Sequence, residues 1–224
     1  MKKNKKDIFI FILMGLTAVL ISAAGIYYRQ NFLLFFPLYV SLIIGMLQSR
    51  VNRFASLLGS FNSLIYGAVY IHYNLYGSAF SALLFSFPIQ LLTFIRWNKN
   101  KVGSSTRLRK MTARQRILLS VGFAAALVAL WFLLPLIGSE YVFLDSATTL
   151  LGILIYFLTM FAFIEYPILM LVNGAINIAL YITMVKDSPD ITTHLIFAVY
   201  SYVCTVFACF EAKKLYDSQQ KTQF

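Results

Sequence analysis

Two membrane-length apolar runs each carry an asparagine near their middle and a tyrosine eight residues further on. They read FNSLIYGAVY at 61–70 and VNGAINIALY at 172–181. In the first, Asn62, Tyr66 and Tyr70 are spaced i, i+4, i+8, which places them on one face of a helix. In the second, Asn173, Asn177 and Tyr181 repeat that spacing, and Tyr166 and Leu169 extend the face backwards. A carboxamide in hydrocarbon is unfavourable unless something hydrogen-bonds it. Two readings follow. Amides act as glue between membrane helices, at roughly 0.6–2 kcal/mol each. Alternatively, they form a solute site, in which aromatic rings bury a flat heterocycle while amides and hydroxyls fix sugar hydroxyls or ring heteroatoms. Recurrence of the pattern in corresponding segments favours the solute site, and hence a small-molecule transporter.

Other polar positions serve that site or the helix ends. Gln90 follows Pro88; it faces the solute path or satisfies the carbonyls that the proline frees. Gln48, Arg50 and Arg53 mark a boundary and read as orientation and gating-rim residues. Glu165 precedes Tyr166-Pro167, where a carboxylate suits a helix N-terminus; the other reading pairs it with Arg50 or Arg53 as a gate. Asp145 marks the outer start of the sixth apolar segment. His72 and His194 sit near helix ends and are expected to be wet or interfacial. No carboxylate lies obviously in mid-helix, which favours passive facilitated diffusion over an ion-coupled nucleoside carrier. Walker, GxGxxG and HExxH patterns are absent from the sequence, so neither an enzyme nor a cofactor is expected. Cys204 and Cys209 have no zinc-ligand spacing and no expected disulfide.

The elements that must position these residues are membrane helices. The chain has 224 residues, 60% apolar and 12% charged, with a net charge of +11. Soluble domains carry roughly 25% charge. At about 20 apolar residues per span, eight spans fill the length: 8–28, 32–48, 54–73, 78–97, 115–137, 145–164, 166–184 and 190–212. The first is read as a retained helix, being long for a signal sequence. With the N-terminus in the cytoplasm, 17 of the 19 Lys and Arg fall on that side, and only Arg29 and Lys186 on the other. Such a split predicts that both termini are cytoplasmic. The basic stretch NKNKVGSSTRLRKMTARQR is expected to be a flexible linker that touches anionic headgroups, with no nucleic acid as partner.

Segments two to four (32–97) and six to eight (145–212) form two three-helix units, each with the Asn in its middle helix. Three is odd, so the fifth segment supplies the crossing that makes the repeats parallel. The expected divisions are 1–31 (N-terminus and extra helix), 32–97, 98–144 (basic loop and connecting helix), 145–212 and 213–224 (tail). The fold class is an all-α integral membrane protein with a 3+1+3 core.

The stretch LIYGAVYIHYNLYGSAFSALLFSFPIQLLTFIRW (64–97), and that from Asp145 through Lys214, resemble the two halves of the PnuC family of vitamin transporters. That family includes bacterial nicotinamide riboside importers. Its substrate signature is a Glu, a Trp, a second Trp three residues on, and an Asn four further. Here Glu165 and Asn173 match, Tyr166 stands at the first Trp and Leu169 at the second. The resemblance implies a SWEET-like arrangement, a bacterial cell membrane, a homotrimer, and facilitated diffusion of nicotinamide riboside trapped by a cytoplasmic kinase. The missing ring at Leu169 leaves a deoxynucleoside, thiamine or riboflavin open as substrate. A non-transport membrane scaffold is the remaining alternative.

Overall fold

The computed structural model describes residues 5–137 and 141–221. Its helices are α1 (Lys5–Tyr27), α2 (Phe32–Gln48), α3 (Phe54–His72), α4 (Tyr76–Lys99), α5 (Ala113–Leu133), α6 (Val142–Met160), α7 (Tyr166–Met184) and α8 (Thr192–Lys221). Among the described residues, seven helices are long and apolar enough to cross a membrane; α2, at 17 residues, is shorter. The helices fall on the expected apolar segments. At 1.5 Å per residue, α8 is roughly 45 Å long, so its C-terminal turns extend beyond a hydrocarbon core of about 30 Å.

The ends of these helices follow local chemistry. Asn31 caps α2 by accepting the Leu33 N–H at 3.1 Å. Pro167 opens α7, where its missing N–H has no helical partner to lose. Within α4 the chain winds as a π-helix over Ser81–Ser86. Pro88 lies just beyond, and a proline cannot bond the carbonyl four residues back, so the wider turn lets that stretch re-register.

Six helices close a ring in the order α2, α3, α4, α6, α7, α8, with α8 returning to α2. The two Asn-bearing helices, α3 and α7, occupy opposite positions in it. Outside the ring, α1 packs on α2 and α8, and α5 packs on α6. None of the described side chains of α5 is buried, so its surface is left for lipid. Ile10 and Ile21 of α1 are fully buried with Leu38, Leu42 and Tyr200.

Two expectations change, and Asp145 stands at the start of its helix as expected. The basic linker is folded: Lys101–Val102 and Ser105–Thr106 form a small hairpin, and Leu108 is buried. Arg109 pairs its backbone with the α6–α7 turn, donating to Ala162 O and accepting from Ile164 N–H, each at 2.9 Å. Backbone groups in a protected linker need partners, and the adjacent turn supplies them. His194 is 1% exposed instead of wet, because its helix end tucks beneath the rings of Tyr73 and Tyr181. Asp145 lies in the first turn of α6 and is fully buried. It caps the neighbouring α4, accepting from the Gly77 and Ser78 N–H groups at 3.0 and 3.1 Å and from the Ser78 hydroxyl at 2.6 Å. A carboxylate at a helix N-terminus satisfies orphan donors and complements the dipole. Gly77 permits the approach: a Cβ there would sit 2.9 Å from Asp145 Oδ2.

Candidate functional site

The ring encloses a cavity of about 290 Å³, at the lower end of the roughly 300–1,000 Å³ typical of small-molecule pockets. Eight of the nine residues expected to bind solute line it: Asn62, Tyr66, Tyr70, Gln90, Tyr166, Asn173, Asn177 and Tyr181. Leu169 does not. The stripe of α7 that faces inward runs Tyr166, Met170, Asn173, Asn177, Tyr181. Met170, one helical turn after Tyr166, takes the inward place; both it and Leu169 pack against the cluster around Val51, Trp97 and Leu158, but Leu169 stays outside the cavity lining.

On the α3 side the amide is held by its neighbours. Asn62 Nδ2 donates to Pro37 O at 3.1 Å and to Ser41 Oγ at 2.7 Å. Ser41 Oγ in turn donates to the Tyr66 hydroxyl at 3.2 Å, and the Tyr66 and Tyr70 rings stack at 5.4 Å. Gln90 Nε2 donates to Ser63 Oγ and Ser86 Oγ. It therefore serves side chains on the cavity wall, and no hydrogen bond ties it to carbonyls that Pro88 frees. Gly59 makes the room: a Cβ there would collide with the Gln90 amide oxygen. On the α7 side, Asn177 Nδ2 donates to Asn173 O at 3.0 Å. The Oδ1 atoms of Asn62 and Asn173 are buried and have no protein partner. Two amide oxygens from opposite helices thus stand ready to accept from a solute hydroxyl or amide.

Sequence reasoning missed part of the wall. Tyr156, Trp97, Ser86 and Thr93 also line the cavity. Each lies in an ordinary apolar run, and only the closing of the ring turns it inward. No charged side chain among the described residues lines the cavity.

A buried cluster of side chains stands at each end of the cavity. At one, beyond Tyr70 and Tyr181, Val69, Leu75, Leu180, Met184 and Ile191 form a buried cluster. Tyr73 lies over it, accepting from Gln30 Nε2 at 2.9 Å and donating to Asp190 Oδ2 at 2.7 Å. At the other, Val51, Trp97 and Tyr166 are buried together, and Trp97 Nε1 donates to Thr159 O at 2.8 Å. Glu165 stands at the N-terminus of α7, as its first reading has it, without a side-chain capping bond, and the alternative pairing with Arg50 or Arg53 does not form. Glu165 instead binds Arg116 at 2.6 Å and accepts the Met111 N–H at 3.1 Å, because the folded linker brings both to the start of α7. Arg50 pairs with Asp7 at 3.1 Å, and Arg53 donates to Gly103 O at 3.0 Å. His194 stands against Tyr73 and Tyr181 of the first cluster with its Nε2 unpartnered. No cluster of His, Cys, Asp and Glu suited to a metal occurs among the described residues, and both cysteines are free.

A family model described as the nicotinamide mononucleotide transporter matches residues 31–213. Among solved structures, the chain resembles the crystal structure of the vitamin B3 transporter PnuC, with a TM-score of 0.82 at 18% identity. That match covers 96% of this chain and 94% of the other. At this identity the likeness concerns the fold. A search of curated protein sequences returns no match.

Proposed function

The chain belongs to the nicotinamide mononucleotide transporter family, and we propose that it carries a nucleoside-like vitamin precursor, nicotinamide riboside first among candidates, by facilitated diffusion. The family and the resembling structure are transporters, not enzymes. The observation that carries the choice of substrate is the uncharged, amide- and tyrosine-lined cavity. A mononucleotide would bury its phosphate there without a countercharge, which is strongly unfavourable. A riboside has no such group. Its cationic pyridinium suits the faces of Tyr66, Tyr70, Tyr156 and Tyr166, while its hydroxyls and carboxamide can donate to the free Oδ1 atoms of Asn62 and Asn173.

In this reading the units 32–97 and 145–212 are parallel repeats of a SWEET-like 3+1+3 core, which rock about the cavity. Asn62, Tyr66, Tyr70, Gln90, Tyr166, Asn173, Asn177 and Tyr181 hold the solute. The Trp97–Tyr166 end opens to the cytoplasm, where Arg50, Arg53 and Glu165 brace the rim through Asp7, Gly103 and Arg116. Both termini are cytoplasmic in a bacterial cell membrane, and the excess of basic residues on one side supports that orientation. A cytoplasmic kinase traps the product as a phosphate that cannot pass back, and the protein assembles as a homotrimer.

A second reading places thiamine, riboflavin or a deoxynucleoside on the same site, since the cavity's uncharged amide and tyrosine lining would take any of them without burying a phosphate. A thermal-shift screen on purified protein with nicotinamide riboside, its mononucleotide, thiamine, riboflavin, thymidine and deoxyadenosine separates these. Stabilisation by the riboside alone supports the first reading. A response to the mononucleotide equal to that of the riboside would overturn the argument from charge, and silence throughout returns the amides to helix packing.

A further inference from the structure

A second polar cluster lies outside the cavity, where α4 and α6 end side by side. Arg96 stands one turn before the end of α4, with its guanidinium carbon 4.7 Å from the centre of the Phe161 ring. Arg109, from the folded linker, lies 5.5 Å from the same ring and 4.5 Å from that of Phe163. No carboxylate pairs with either arginine among the described residues. Two like charges over one ring repel each other. Partial burial, and then the charge of Arg96, hold the Arg109 guanidinium below its usual range.

Arg109 is nevertheless fixed rather than splayed into water. Its backbone is pinned to the α6–α7 turn, and its Nε donates to Phe161 O at 2.7 Å. The remaining edge of the guanidinium keeps a pair of donors in the fork that matches phosphate oxygens.

The surroundings say where such a phosphate comes from. Leu92 lies four residues before Arg96 on α4, and Phe157 four residues before Phe161 on α6, so each is on the same helical face as its partner. Both are exposed, at 53% and 39%. The two helices run in the same direction, so Leu92 and Phe157 lie one turn further into the apolar layer. Charge at the rim with an open apolar stripe beneath it is the pattern of a phospholipid, head above and chain below.

We propose that Arg96 and Arg109 hold the phosphate of an anionic phospholipid whose acyl chain lies along Leu92 and Phe157. The lipid ties the end of α4 to the α6–α7 turn, which joins the two halves of the ring at its basic rim.

The test uses the full chain in neutral detergent. Its melting temperature is followed as phosphatidylglycerol or phosphatidylcholine of the same acyl length is added, and lipid carried through purification is counted by native mass spectrometry. Phosphatidylglycerol is expected to stabilise the protein by more than phosphatidylcholine does. The double variant R96Q/R109Q is expected to lose that difference and to retain on the order of tenfold less anionic lipid. Should the double variant fail to fold, R96Q alone serves, since the Arg96 side chain makes no hydrogen bond among the described residues. R96K/R109K is expected to recover only part, because charge remains but the fork is lost. Equal stabilisation by the two lipids overturns the proposal, as does a preference that survives the Gln variants. Glycerol phosphate or inorganic phosphate acting as well as phosphatidylglycerol would show a free-anion site and overturn the lipid. A chain-to-chain contact that R96Q/R109Q breaks, with lipid retention unchanged, would assign the surface to a second copy.

Discussion

Helices α3 and α7 carry asparagines at matching depths on opposite sides of the cavity, and the protein uses them differently. Asn62 is 3% exposed and gives both amide protons to α2, through Pro37 and Ser41. Asn173 is half-buried, and its backbone carbonyl, not its side chain, is what holds Asn177. Each keeps an unpartnered Oδ1. Packing glue and solute site are therefore compatible readings on α3, where one amide packs through its nitrogen and leaves its oxygen without a protein partner. On α7 the side chain is left to the cavity. The first half is the stiff wall, and the second is the half whose polar groups a solute has most to complete.

This contrast is broken most directly at Asn173. N173A is expected to lower uptake at least about tenfold, equivalent to one lost hydrogen bond of roughly 1.4 kcal/mol, with membrane insertion and melting temperature unchanged. Normal transport would remove Asn173 from the site. N62A is expected to impair uptake to a similar degree and, unlike N173A, to destabilise the protein by about 1–3 kcal/mol, because Ser41 and Pro37 lose a buried donor. If both variants melted alike, the difference between the walls would be lost.

Gly59 sharpens the comparison at a third point. G59A forces the Gln90 amide out of its seat, an overpacking change of about 1–3 kcal/mol. Uptake is expected to fall severalfold in G59A, and adding Q90A is expected to recover the melting temperature but not the uptake. The smallest effect is expected at Leu169. L169A should leave uptake within about twofold while loosening the Val51–Trp97–Leu158 cluster, which a lower melting temperature would report. A tenfold loss of uptake without a loss of stability would put Leu169 back on the wall.

The contrast between Met170 and Leu169 shows how far a sequence motif reaches. Counting back from Asn173 by four and seven gives two positions on one broad face, and both are reasonable candidates. Which lines the cavity depends on the rotation of α7, and that is set by what α6 and α8 pack against it. Similarly, Glu165 has two natural roles in the sequence. The structure adds a partner, Arg116, that is 49 residues away and arrives only because the linker folds. Asp145 carries no local sign that it caps a helix 68 residues earlier in the chain.

What the sequence determined by itself is what local chemistry and the bilayer dictate. Apolar runs of about 20 residues must be helices, since hydrocarbon offers no other partner to the backbone. Basic residues must gather on one side, and amides in mid-run need a use. Those constraints placed the helices, the Asn-bearing pair and the face that lines the cavity. The tertiary structure alone decided the closing of the six-helix ring, the inward turn of Tyr156 and Trp97, the burial of Asp145 and His194, and the free oxygens of Asn62 and Asn173. Each depends on partners distant in sequence, and helical periodicity says which residues share a face but not what that face will meet.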